Sequence, residues 1–174
     1  MKTSQSYTAQ KTFTAKKTSQ GTSWGAVYAQ FMQPVADIKA QSSGISVKRE
    51  ILGAEADSPF SILNSPLKVG SRIKVRITIE ADRDYDFVQV VDKRAACLEP
   101  VNQLSGYRRG YYCSPKDNAT NYYFDMLSKG KHVIETEYYV DREGEYGTGT
   151  CTVQCAYAPE FHGLAPGVTL HCVK

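Results

Sequence analysis

The nine residues Arg72 to Glu80, RIKVRITIE, constrain this chain most. Ile73, Val75, Ile77 and Ile79 fall on one side of an extended backbone. Arg72, Lys74, Arg76, Thr78 and Glu80 fall on the other, because successive side chains of a strand point to opposite faces. A strand with one apolar and one polar face is half-buried and belongs to an antiparallel sheet.

The same reading extends along the chain. Ile45 to Leu52 alternates as Ile45, Val47, Arg49 and Ile51, which predicts a second strand after the turn at Gln41 to Gly44. Phe87 to Val91 is apolar on both faces and should lie centrally in its sheet. Asn121 to Asp125, His132 to Val140 and Val168 to Val173 read as further strands. Gly147 to Tyr157 reads as a long one, with Cys151, Val153, Cys155 and Tyr157 on one face, ended by Pro159. Trp24 to Phe31 favours a strand, Val35 to Lys39 a helical turn, and Phe60 to Leu63 a short strand within a loop. Asp141 to Gly144 reads as a turn. Residues 93–120 have little regular pattern and read as a long loop, which in a compact domain is often functional. Twelve tyrosines with frequent Thr and Val also favour strands. The sum is an all-β fold, an antiparallel β-sandwich of about eight or nine strands.

Charge narrows the function classes. The net charge of +3 comes from the first twenty residues, where Lys2, Lys11, Lys16 and Lys17 meet no acid; the remainder carries 17 basic against 18 acidic residues (21 − 4 = 17). Nucleic-acid binding wants a basic face on the folded body, so none is expected. Residues 1–21, rich in Ser, Thr, Gln and Lys, read as a loose arm or the remnant of a preceding region, with a weak strand pattern around Tyr7 and Phe13. Residues 22–174 form the domain. No apolar run of about 18 residues exists, so no membrane insertion by this chain is expected. The first residues lack the apolar centre of an export signal.

Several residues invite a chemical reading. Cys97-Leu98-Glu99-Pro100 is one residue short of a thioester motif, which joins a Cys thiol to a Gln side-chain carbonyl. Pro100 occupies the Gln position and has no such carbonyl, and Gln103 lies too far along, so Cys97 is expected to pack as a small apolar residue. Five cysteines, Cys97, Cys113, Cys151, Cys155 and Cys172, allow two disulfides at most. Cys151 and Cys155 are roughly 13 Å apart in a strand and cannot bond to each other; either can pair across strands with Cys172 or Cys113. No metal or cofactor is expected. His132, His162 and His171 are scattered, and there is no HExxH or glycine-rich phosphate loop, so no enzyme is expected. Tyr107, Arg108, Arg109, Tyr111 and Tyr112 interleave aromatic and basic residues, a surface that could bind glycan or peptide if the module stood free at a cell surface.

Five pieces in order carry a resemblance. They are Trp24-Gly25-Ala26-Val27-Tyr28, Ala81-Asp82-Arg83-Asp84-Tyr85-Asp86-Phe87-Val88, Arg94-Ala95-Ala96-Cys97-Leu98-Glu99-Pro100-Val101-Asn102, Gly144-Glu145-Tyr146 and Tyr157-Ala158-Pro159-Glu160-Phe161. Over roughly residues 22–174 the chain resembles the C-terminal, MG10-type macroglobulin domain of bacterial alpha-2-macroglobulins of the Bacteroides type. The resemblance implies a macroglobulin or immunoglobulin-like sandwich that catalyses nothing. It would be one domain of a large periplasmic or membrane-anchored protease trap, whose thioester, in a separate helical domain, captures the attacking protease. Its partners would be the other domains of that trap, the thioester-bearing one included, and target proteases only indirectly. A Met-Tyr pair in the family is thought to cover the thioester. The matching positions here are Ala156 and Tyr157; Tyr157 agrees, whereas Ala156 departs and covers less surface, so shielding by this pair would be poorer.

Overall fold

The computed structural model describes residues 14, 16–18, 20–24, 32–33, 35–53 and 66–174. The chain divides into two compact units, Met1–Met32 and Gln33–Lys174. In the first, the described residues form no strand or helix. The expectations at Tyr7 and Phe13, over 25–31 and over 60–63 lie outside the described residues.

Among the described residues of the second unit a 3-10 turn, Val35–Asp37, precedes fourteen strands. These are β1 Gln41–Ser43, β2 Ile45–Gly53, β3 Leu67–Lys68, β4 Arg72–Ala81, β5 Tyr85–Lys93, β6 Leu98–Pro100 and β7 Gly106–Arg108. They continue as β8 Tyr111–Pro115, β9 Ala119–Leu127, β10 Gly130–Val140, β11 Gly144–Gly147, β12 Cys151–Cys155, β13 His162–Ala165 and β14 Thr169–Val173. Eight of them are five residues or longer; the other six are short and stitch edges and corners.

Eleven strands make one sheet in the order β6-β10-β4-β2-β1-β13-β12-β5-β9-β8-β7, and β11-β14-β3 make a second. The long sheet doubles over. β9 and β10 follow one another in sequence, yet β9 pairs with β5 and β8 while β10 pairs with β4 and β6. Their inward side chains meet across the interior. The Tyr122 and Thr136 hydroxyls are 2.7 Å apart, and those of Thr120 and Tyr138 are 2.9 Å apart. The β10-β4-β2 half and the β12-β5-β9-β8 half are therefore the two layers of a sandwich, with β1 and β13 at the corner. Gly163 makes that corner close enough: a Cβ there would press on the Ile45 carbonyl and the Val153 side chain.

The expected strand at Arg72 to Glu80 is the spine of one layer. Ile73, Val75, Ile77 and Ile79 are buried against Val88, Val90, Leu127, Ile134 and Val153 in one core, each burial giving about 1.5–3 kcal/mol. β5 is central, as its two-sided apolar character requires, with β12 and β9 as neighbours.

Four expectations need correction. The stretch from Gln41 to Gly44 is not all turn: Gln41–Ser43 pair with β13 as β1, and Gly44, at φ of 72°, reverses the chain. Residues 93–120 are not a loop but hold β6, β7 and β8. Their pattern escaped periodicity because these strands are too short to alternate more than twice. Asp141 to Gly144 turns only partway, since Gly144 already opens β11, which pairs with β14. The strand expected to run to Tyr157 stops at Cys155: Cys151, Val153 and Cys155 are buried on one face, but Tyr157 leaves that face and is exposed.

Candidate functional site

β5 contains a slip in its inside–outside alternation. Tyr85 is buried, Asp86 and Phe87 are both exposed, and Val88 is buried again. The cause is Phe87, whose φ of 53° puts a bulky residue in the left-handed region. That conformation costs about 1–3 kcal/mol. β9 makes the same slip alongside: Asp125 and Met126 are both exposed between buried Phe124 and Leu127, which oppose Val88 and Tyr85. On the other flank, Cys155 opposes Val88, and Ala156 and Tyr157 then both turn out. Three adjacent strands thus open outward at one level. Phe87 is 52 % exposed, Met126 61 % and Tyr157 82 %.

Ala156 and Tyr157 are held at this level. The Ala156 N–H donates to the Phe87 carbonyl at 2.8 Å. The Phe87 and Tyr157 rings meet edge to face, centroids 5.4 Å apart at 89°, a contact of about 0.5–1.5 kcal/mol. The loop beyond is closed by the Cys155 N–H on the Phe161 carbonyl and by the Phe161 N–H on the Ala158 carbonyl.

The Asp82 to Tyr85 segment clamps that loop. The Phe161 ring lies 5.2 Å from the Tyr85 ring and 5.2 Å from the Arg83 guanidinium carbon. Asp82 accepts from Arg83 at 2.9 Å and from the Tyr85 hydroxyl at 2.5 Å. The Arg83 bond, then the Tyr85 bond, lower the Asp82 carboxyl to about 2. Burial, then Asp82, raise the Tyr85 phenol. Gly44 accommodates this cluster with φ of 72°, since a Cβ would collide with the Tyr85 hydroxyl. The bend at Asp82-Arg83, between β4 and β5, is therefore the support of Tyr157's loop.

The other end of β5 carries a group that sequence reasoning passed over. Arg49 and Asp92 are ion-paired at 2.9 Å with side chains only 4 % and 3 % exposed. Arg49 also donates to the Lys93, Gly149 and Pro166 carbonyls and to the Thr148 hydroxyl, at 2.7–3.1 Å. Thr148 in turn accepts the Val168 N–H. Removal from water pushes the Asp92 carboxyl up, and Arg49 pulls it back. Every partner is internal, so this is a strut and not a ligand site. Its signal was in plain view: Arg49 occupies an inward register between Val47 and Ile51, and a buried guanidinium demands buried acceptors.

The structure splits the Tyr107 to Tyr112 stretch between two faces. β7 and β8 are a hairpin turning at Arg109-Gly110, with Gly110 at φ of 86°. Tyr107, Tyr112 and Tyr123 form an outward row across β7, β8 and β9, with centroids 5.1 and 6.5 Å apart. Tyr111 faces the other way, against Tyr122 and Phe124. It lines, with Arg108, Lys74 and Glu135, a cleft of about 310 Å³. Arg109 is exposed at the turn.

Cys97 is buried, with its thiol toward Cys172. Among the described residues no three His, Cys, Asp or Glu side chains gather as a metal site. His132, His162 and His171 stand apart, against the Ser128 carbonyl, the Pro159 carbonyl and Glu145.

A family model, the bacterial alpha-2-macroglobulin MG10 domain, matches residues 44–160, more than half of the 174. The chain belongs to that family. The match covers β2 to β12 and the Ala156-Tyr157 turn. Among solved structures the MG10 domain is similar in fold to a mutant of Salmonella alpha-2-macroglobulin, with TM-score 0.68 and 22 % identity over 79 % of this chain and 10 % of that one. It is similar also to Salmonella alpha-2-macroglobulin reacted with methylamine, with TM-score 0.67 and 23 % identity over 79 % and 10 %. For Escherichia coli alpha-2-macroglobulin activated by porcine elastase the values are 0.68 and 19 % over 78 % and 14 %. The chain thus spans a tenth of the length of the Salmonella proteins. A search of curated proteins finds no match.

Proposed function

We propose that this MG10 domain is a non-catalytic contact module of a bacterial alpha-2-macroglobulin protease trap. It packs against neighbouring domains and sets Tyr157 over a thioester carried elsewhere in the trap. The observation that carries the reading is the exposed edge-to-face pair of Phe87 and Tyr157 on a loop clamped by Asp82, Arg83, Tyr85 and Phe161. An aromatic ring that is 82 % exposed yet fixed in place is poor use of surface unless something covers it. Phe87 also supplies apolar area that Ala156 lacks, so the cover is built from strand β5 and the loop after β12 instead of from two consecutive residues. The parent protein would act in the periplasm or on the cell envelope, with target proteases as indirect partners.

The test is thioester reactivity in the longer protein that carries this domain. Tyr157→Ala is expected to speed thioester loss to methylamine and water, with the domain's own melting temperature unchanged. A rate equal to wild type overturns the shielding role.

A second reading rests on the outward row of Tyr107, Tyr112 and Tyr123, a flat aromatic strip on which a glycan or extended peptide could stack. It makes the module a surface binder, and a ligand lost with Tyr107→Ala and Tyr112→Ala together would favour it.

A further inference from the structure

The Sγ atoms of Cys97 and Cys172 lie 3.6 Å apart in the interior. They come from distant parts of the chain. Cys97 is in the turn before β6, at the edge of the long sheet, and its carbonyl accepts the Asp141 N–H at 2.8 Å. Cys172 is in β14, the centre of the small sheet, opposite Gly144 and Leu67. The other three thiols have different surroundings: Cys155 faces the Asp86 carbonyl, Cys151 the Asp92 carboxylate, and Cys113 the Arg108 side. Of five thiols, one pair alone is in contact.

We propose that Cys97 and Cys172 are a disulfide site that staples the small sheet to the edge of the large one when the protein folds in an oxidising compartment. Bonded sulfurs stand about 2.05 Å apart, so the pair must close by about 1.5 Å, within reach of side-chain rotation and a small strand adjustment. The oxidant is a small-molecule or protein disulfide. One thiol loses its proton and attacks a sulfur of that disulfide, which breaks and releases one thiol. The second cysteine, deprotonated, then displaces the second oxidant sulfur from the mixed disulfide. The two cysteines give up two electrons and two protons, and the oxidant leaves as two thiols.

The timing follows from burial. Burial, and then the neighbouring Cys172, push the Cys97 thiol up to about 12. Both thiols are buried in the closed sandwich, out of reach of an oxidant in solvent, so oxidation belongs to folding, before the two sheets meet. Once formed, the bond is shut away from reductants by the same packing. It closes a long loop, from residue 97 to residue 172, and such closures stabilise most by restricting the unfolded chain.

The full chain is unfolded, reduced, and refolded with a mixture of oxidised and reduced glutathione, then alkylated in denaturant. Three of the five thiols are expected to react, with the intact mass about 2 Da below the reduced form. Chymotryptic cleavage near Phe161 and Leu170 separates Cys172 from Cys151 and Cys155, so the bridged peptides should be those of Cys97 and Cys172. The oxidised protein should melt about 5–10 °C above the reduced one. Cys97→Ser and Cys172→Ser should each abolish that difference and show no second bridge. Five reactive thiols, or a bridge joining any other pair, overturns the proposal. The thiol count on the wild-type chain decides even where a variant fails to fold.

Discussion

The two ends of strand β5 solve opposite problems. At one end Asp92 is buried and paired with Arg49, whose two terminal guanidinium nitrogens find their partners inside the domain. At the other end Phe87 is exposed, strained at φ of 53°, and joined mainly to another exposed ring. A hydrophobic strand that buries a charge and exposes a phenylalanine inverts the usual distribution at both ends. The buried charge locks the chain segments 148–149 and 166 to the sandwich. The exposed ring does little for the isolated domain, and its cost makes sense when a partner covers it. A single strand thus holds the fold at one end and presents an exposed aromatic surface at the other.

The largest test is on the two aspartates of β5. Asp92→Ala leaves Arg49 buried and short of its counter-charge, and is expected to cost about 3–5 kcal/mol. Asp86→Ala, at the exposed end, should stay within about 0.5 kcal/mol. Urea denaturation of both variants measures the contrast, and equal losses break it. Next comes Phe87→Gly. Glycine relieves the left-handed backbone while losing the ring contact, so the two effects offset and stability should stay within about 1 kcal/mol of wild type. A loss well beyond that would make Phe87 part of the core and not of the surface.

The smallest effect concerns pH. Asp82 is ionised down to about 2 in the folded chain, below its ordinary value of 3.8. A carboxyl lowered by folding contributes stability that is fully present above 3.8 and is lost as pH falls through 2. Thermal melts of wild type and Asp82→Asn between pH 5 and pH 2 should therefore converge at the acid end. Curves that stay parallel would show that the clamp beneath Phe161 does not depend on that charge.

The sequence by itself determined the all-β class, the spine at Arg72 to Glu80 and the central place of β5. These rest on period-two alternation and two-sided apolarity, which are local properties of a strand. It also carried the family through the Ala81 to Asn102 stretch and the Tyr157 to Phe161 turn. Only the tertiary structure decided the rest. It turned Tyr157 off the buried face, split Tyr111 from Tyr107 and Tyr112, and set Arg49 against Asp92 and Cys97 against Cys172. Those pairings join residues 43 and 75 positions apart. No local pattern specifies such a distance, because it depends on how two sheets stack and where a strand at φ of 53° changes phase.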